Sequence, residues 1–315
     1  MARRLLALGN PAAGGDDERT RQAVLDVLAG GADVVSRTME GPQDLERALA
    51  EHPGHDPVVL GGDGTLHRVV AALLARGELE HRPVGLIPMG TGNDLARTLG
   101  IPLEPAEAAR IVLRGTARPL DLLVADGDGD GDGRDGDGDD GDDGEDGIVL
   151  NAVHVGVGAV ASQQATPLKP FLRRAAYAAG ALIAGVRSKG WRLRVRVDGE
   201  QVADGRRRVL MVGVGNGVSI GGGTPLAPGA RPDDGLADVV VSYAVSPWAR
   251  LAYGVLLRLG RHPERHDVAT FRGRAIVVEG EPVPANADGE LRPPAPRRAW
   301  TLRPAAWSVI APPPE

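Results

Sequence analysis

Pro57-Val58-Val59-Leu60-Gly61-Gly62-Asp63-Gly64-Thr65-Leu66-His67 is the stretch that decides the fold. An apolar run stops at a double glycine. An acid and a third glycine follow, and Thr65 opens a segment with apolar residues at Leu66, Val69, Val70 and Leu73. That order predicts a buried strand, a tight turn and the start of an amphipathic helix. Glycines let a ligand approach the backbone closely, and free N–H groups at a helix N-terminus attract phosphate. An acid in such a turn repels phosphate unless it caps the turn, holds Mg²⁺, orients another side chain or accepts a proton.

The same design recurs on either side. Residues 4–9 form an apolar strand that ends at Gly9-Asn10-Pro11-Ala12-Ala13-Gly14-Gly15, and a helical pattern runs from about Glu18 to Leu28. Residues 33–38 read as a second strand and Gln43 to Leu49 as a second helix. Pro83-Val84-Gly85-Leu86-Ile87-Pro88 is a further strand, running into Met89-Gly90-Thr91-Gly92-Asn93-Asp94 and another helix start. Repeated strand–helix units predict a doubly wound parallel α/β sheet, with ligands outside the carboxyl ends of the strands. The turns at Asn10, Thr38, Gly61 and Gly90 then lie on one edge.

From Trp191 the pattern changes to period two, at Leu193, Val195 and Val197, with further short apolar runs near 209–212, 239–241 and 275–278. Short strands between Gly and Pro turns predict an antiparallel β-sandwich. The expected organisation is α/β plus β: an α/β domain over 1–118, a β-sandwich domain over 119–300, and a strand within 301–315 that returns to the first domain.

Composition bounds the chemistry. The chain has 315 residues, is 42% hydrophobic and only 3% aromatic, and contains no Cys. Thiolate catalysis, disulfides and zinc–thiolate sites are excluded. No apolar stretch reaches the ~20 residues needed to span a bilayer. The net charge of −6 misleads: residues 126–146 hold eleven Asp and one Glu against one Arg, a local −11, so the rest carries about +5. The insert at 126–147 is low-complexity and glycine-rich, and is expected to be a disordered extension of a turn. Residues 167–190 have basic ends and an apolar middle, the pattern of a surface helix or one that meets an anionic bilayer.

GGDGT at 61–65, Pro88-Met89-Gly90-Thr91-Gly92-Asn93-Asp94-Leu95-Ala96-Arg97 and the N-terminal Asn10-Pro11-Ala12-Ala13-Gly14-Gly15 together resemble the diacylglycerol kinase catalytic-domain family. The closest similarity is to its soluble bacterial lipid kinases, relatives of sphingosine and ceramide kinases. Gly221-Gly222-Gly223 through Asp233-Asp234-Gly235-Leu236 and Ala287-Asp288-Gly289-Glu290 continue the likeness in the family's order. Two departures stand out. Ala13 replaces the first loop's usual Ser and Gly15-Asp16 stand where a basic residue usually follows, and the acidic insert is additional.

The resemblance implies an NAD kinase/diacylglycerol kinase-like fold and an ATP-dependent lipid kinase, with diacylglycerol as the expected acceptor. It places ATP contacts at Asn10, Pro11, Ala12, Ala13, Gly14, Thr38, Gly61, Gly62, Asp63, Gly64, Thr65, Leu66, His67 and Thr91. A Mg²⁺ site falls on Arg231, Asp234 and Leu236, two of them through main-chain carbonyls. The general base is Glu290 or Asp63, with Glu290 favoured, and Asp288 is structural or part of the same acid network. The expected partner is a lipid substrate at a membrane surface. Nucleic acid is not expected, a homodimer is compatible with the sequence, and the expected location is cytoplasmic or peripheral at the inner membrane. NAD kinase, which shares the GGDGT turn, and a non-catalytic nucleotide- or lipid-binding protein are the competing readings; the presence of both Asp63 and Glu290 disfavours the latter.

Overall fold

The computed structural model describes residues 3–9, 17–126, 147–159 and 189–312. The first loop at Asn10–Gly14, the acidic insert and nearly all of the basic-ended segment 167–190 lie outside the described residues. The chain divides into two compact units. One holds the described residues up to Leu122, together with residues 147–148 and the chain from Pro304. The other holds the rest of the described chain between Leu123 and Arg303.

In the first unit, β1 (Arg3–Gly9), β2 (Ala32–Thr38), β3 (Asp56–Gly61) and β4 (Val84–Pro88) pair in the order β2-β1-β3-β4, all parallel. Every residue of β4 and all but the first of β3 are buried, as required of strands covered on both faces. The covering helices are α1 (Asp17–Ala29), α2 (Pro42–Glu51), α3 (Asp63–Ala75), a short α4 (Asp94–Thr98) and α5 (Pro105–Arg114). α1 packs with α5 and α2 with α3, which is double winding. The chain then enters β5 (Thr116–Asp126). Its Asp121 accepts from Ala305 N–H at 2.9 Å, and its main-chain carbonyl accepts from the indole of the buried Trp307. Val309 and Ile310 pair in parallel with Val84 and Gly85, so the C-terminus completes this sheet.

The second unit is an antiparallel β-sandwich. β6 (Ile148–Val149) leads into it, and its strands are β7 (Ala152–Gly156), β8 (Trp191–Val197), β9 (Glu200–Val209), β10 (Met211–Gly215), the short hairpin β11 (Ser219–Ile220) and β12 (Thr224–Pro225), β13 (Ala237–Ser242), β14 (Val268–Gly273), β15 (Ala275–Ala287) and β16 (Glu290–Ala311). The order β14-β13-β10-β7-β15 forms one run. β15 shifts register between Glu279 and Val283. Its first half pairs with β8 and its last three residues pair with β7. One strand thus serves both layers, around a core that includes Val153, Leu193, Val195, Val212, Val239 and Ile276. The period-two expectation for Leu193, Val195 and Val197 holds, since all three face inward.

The structure refines two expected elements. The helix after the glycine turn begins at Asp63, two residues ahead of the Thr65 at which the sequence pattern opens it. Residues 148–155, whose apolar sequence predicts one strand, are broken at Leu150 and Asn151, because the N–H groups of these two residues turn to the Asp288 carboxylate instead of a neighbouring strand.

His154 in β7 is wholly buried, and desolvation lowers its pKa from 6.5 to about 4. Between those values the unfolded chain binds a proton that the folded chain refuses. Stability is therefore full above about pH 6.5 and is lost on acidification, by roughly 2 kcal/mol between about pH 7.5 and pH 5. Urea unfolding at the two pH values checks this. His154→Gln should flatten the slope, and an unchanged slope would locate the acid sensitivity elsewhere.

Candidate active site

Two glycine turns lie side by side at the carboxyl ends of β3 and β4. The Gly61-Gly62 and Gly90 turns press together backbone to backbone: a Cβ on Gly90 would lie 2.5 Å from the Gly62 Cα. Met89 N–H donates to Gly61 O at 3.0 Å, carrying the β3–β4 ladder into the turns. Asn93 closes the second turn. Its backbone is left-handed at φ 51°, its Oδ1 accepts from Gly90 N–H and its Nδ2 donates to Gly90 O.

Asp63 ties the two turns together. Its carboxylate accepts from Asp94 N–H at 3.0 Å and Leu95 N–H at 3.3 Å, the first N–H groups of α4. The acid that should repel phosphate is thereby engaged by otherwise unsatisfied helix donors. It is a cap, but a cap on the next helix rather than on its own.

The remaining residues of the stretch divide. Gly64 is exposed in the first turn of α3, and a Cβ there would meet nothing within 4 Å. Thr91 is exposed in the second turn. Thr65 is buried, with its side chain against Gly61. Leu66 is in the core, and His67 is buried with Nε2 donating to Ile148 O at 3.1 Å. The side chains of Leu66 and His67 therefore point away from the turn; helix periodicity turns them inward.

Thr38 ends β2 opposite Gly9, and its hydroxyl accepts from Arg21 Nη2 at 2.9 Å. Arg21 reaches over from α1, with its guanidinium against Gly9 and a longer contact to Ser36 Oγ. Its acidic neighbour, Glu18, is exposed and 4.0 Å away. Sequence reasoning missed Arg21, because it looked for a cation inside the first loop; the structure brings one from the second turn of the following helix. The usable signal was an arginine on the α1 face that meets the ends of β1 and β2.

In the second unit, Asp288-Gly289 is a two-residue hairpin turn with φ 46° and 97°, and Glu290 opens β16 opposite Ala287. Positive φ at both turn positions is the type I′ geometry that favours Asp-Gly. The Asp288 carboxylate accepts from Leu150, Asn151 and Ala152 N–H at 2.6, 3.0 and 3.0 Å, and Gly289 N–H donates to Asn286 Oδ1. Asn216 joins the same knot through Leu150 O and Asn151 O. Asp288 is thus the peg that fixes the hairpin. Glu290 projects from it with a side chain 59% exposed, in an ion pair with Arg292 at 3.2 Å.

The residues expected to hold Mg²⁺ form the turn before β13. Asp234 accepts from Leu236 N–H at 3.1 Å and is bound by Arg272, which also reaches Asp238; Gly235 O accepts from Arg274. Arg231 is exposed beside it. Among the described residues no three His, Asp or Glu side chains cluster as a metal site. Asp234 and Asp238 share the Arg272 guanidinium, so the carboxylate expected to hold Mg²⁺ is engaged by a cation in this arrangement.

Known proteins share both halves of this arrangement. Residues 4–125 match the family model described as the diacylglycerol kinase catalytic domain, and residues 151–311 match the YegS C-terminal NAD kinase beta sandwich-like domain. A "Probable lipid kinase YegS-like" of Pseudomonas aeruginosa is 36% identical over 300 residues, covering 91% of this chain and 87% of that one. One of Stenotrophomonas maltophilia is 32% identical over 296 residues, covering 90% and 88%. A diacylglycerol kinase crystal structure from Bacillus anthracis str. Sterne superposes with TM-score 0.74 over 99% of this chain and 98% of that one, at 24% identity, and shares the fold. The chain belongs to the diacylglycerol kinase catalytic-domain family and is a lipid kinase.

Proposed function

We propose that this lipid kinase transfers the γ-phosphate of ATP to the hydroxyl of a membrane lipid, with diacylglycerol as the acceptor. The observation that supports the nucleotide half is the clasped pair of glycine turns in the first unit. Asp63 holds them together, and a helix N-terminus and Arg21 stand at the same sheet edge. Phosphoryl transfer is mostly positioning and charge stabilisation, and such an edge supplies both.

In the reaction the acceptor oxygen attacks the γ-phosphorus, the bond to the β-phosphate's bridging oxygen breaks, and ADP leaves. The hydroxyl proton goes to Glu290. Asp63 acts as a positioning residue that keeps the Gly61 and Gly90 turns in register. Magnesium bound with the nucleotide would spread the triphosphate charge, and Arg21 would add a fixed cation beside it. Arg21→Ala should weaken ATP binding about tenfold, as loss of one charge-assisted contact does. Calorimetry on ATP with and without magnesium reads it, and an unchanged Kd removes Arg21 from the phosphate site.

The acceptor test is transfer from γ-labelled ATP, with magnesium, to diacylglycerol, monoacylglycerol, sphingosine, ceramide, phosphatidylglycerol and NAD, the lipids in mixed micelles. Preferential labelling of diacylglycerol supports the reading. Labelling of another lipid replaces the acceptor and keeps the reaction. Labelling of NAD alone overturns it.

A further inference from the structure

The second unit carries a helix, α6 (Pro247–Arg258), started by Ser246, whose hydroxyl accepts from Ala249 N–H, and by Pro247 in the first turn. Its inner side is well held. Tyr253 is buried with Leu210, Met211 and Leu226, and Ala249 and Leu257 pack against the same cluster. The outer side is unusual. Six large apolar side chains are exposed among the described residues, and four of them are Trp248, Leu251, Val255 and the capping Leu259, at 81%, 45%, 55% and 62%. Their spacing of three, four and four residues puts all four on one face. A contiguous apolar stripe led by an open tryptophan marks a docking surface rather than ordinary scattered exposure.

Charge selects the partner. Between Asp238 and Glu264 the chain has three arginines and no acid. Arg258 flanks the stripe, one helical turn from Val255 and two from Leu251. The first acids beyond pair locally, Glu264 with Arg261 at 2.7 Å and Asp267 with Arg265 at 2.6 Å, so Arg261 is matched by Glu264 and Arg258 is the cation that borders the stripe. Trp and aliphatic residues on one face with arginines beside them are the composition of helices that lie in a lipid headgroup region, where arginine stems follow the apolar surface and their heads reach anionic groups. No helix among the described residues is long and apolar enough to cross a membrane.

We propose that the Trp248–Leu251–Val255–Leu259 face of α6 is the surface on which this enzyme docks to an anionic bilayer. The choice of a bilayer rests on the lipid-kinase assignment, but the test needs no turnover. Full-length protein is floated with vesicles of phosphatidylcholine alone and with added phosphatidylglycerol, without ATP. Wild type should bind the anionic vesicles, and less at high salt; Trp248→Ser/Val255→Ser should lose about tenfold or more in vesicle affinity, as removal of large buried apolar groups requires. Both side chains are exposed, so circular dichroism should be unchanged. Fluorescence provides the second readout. Trp300 and Trp307 are buried, so the emission difference between wild type and Trp248→Phe reports Trp248, and brominated lipid should quench it. Phosphorylation of a short-chain acceptor dispersed as monomers should survive the double substitution, which separates docking from catalysis. Equal vesicle binding by the double variant overturns the proposal. So does a Trp248 already shielded from iodide without vesicles, which would mean that another part of the chain covers it. A wild-type dimer that the substitutions split while vesicle binding is unchanged would assign the stripe to a second copy, and also overturns it.

Discussion

Glu290→Gln is expected to lower kcat by about 10²- to 10⁴-fold, the usual range for losing a general base, with little change in stability or in ATP affinity. Glutamine keeps the shape and the position at the start of β16 but cannot take the acceptor's proton. The fold should tolerate the change, because Glu290 is largely exposed and pairs with Arg292 at the surface. A surface pair of that kind contributes at most about 1 kcal/mol. The informative contrast is Asp288→Asn. Its carboxylate holds three backbone N–H groups of the β6–β7 break, so the variant should lower the melting temperature as well as the rate. Single-turnover kinetics beside thermal unfolding separates the two acids. A Glu290→Gln enzyme of full rate would move the base elsewhere, with Asp63 next, and Asp63→Asn would then have to lose rate without losing the α4 cap.

Gly90→Ala is expected to be the most damaging single-methyl change in the nucleotide half. The added Cβ would stand 2.5 Å from the Gly62 Cα and 2.9 Å from Asn93 Oδ1. The first of these is backbone, which cannot rotate aside. The turns must separate, at a cost of about 1–3 kcal/mol typical of overpacking, and the Asp63 bonds to Asp94 and Leu95 N–H lengthen with them. ATP affinity should fall about tenfold or more, since a phosphate cradle tolerates little displacement. Gly64→Ala provides the opposite case. It adds a methyl in a helix where nothing lies within 4 Å. Stability should hold or rise by up to about 1 kcal/mol from helix propensity, yet nucleotide binding should weaken if the phosphate lies against that backbone. Denaturant unfolding and ATP calorimetry on the two variants read this directly. A Gly64→Ala protein that binds ATP normally would show that the phosphates approach elsewhere along the edge.

The sequence by itself determined strands β1–β4, helices α1–α4 and the Gly61 and Gly90 turns of the first unit, the period-two strands of the second, and the family, while α5 emerged only in the structure. The features it determined are written in short windows. A buried parallel strand must be continuously apolar, a half-buried one must alternate, and a strand that turns abruptly into a helix beside a ligand favours glycine. What the polar residues bond to was decided only by the tertiary structure. Asp63 reaches α4, Asp288 reaches the β6–β7 break, Asp234 is taken by Arg272, and Arg21 arrives at Thr38 from the neighbouring helix. A carboxylate or guanidinium has several open hydrogen-bonding directions, and its chain neighbours do not choose among donors and acceptors brought close by folding. The α6 face belongs to the same class. Residues 247–258 are apolar on nearly every side, so their periodicity selects no face. Packing of Tyr253 and Leu257 into the core is what leaves Trp248 and Val255 outside.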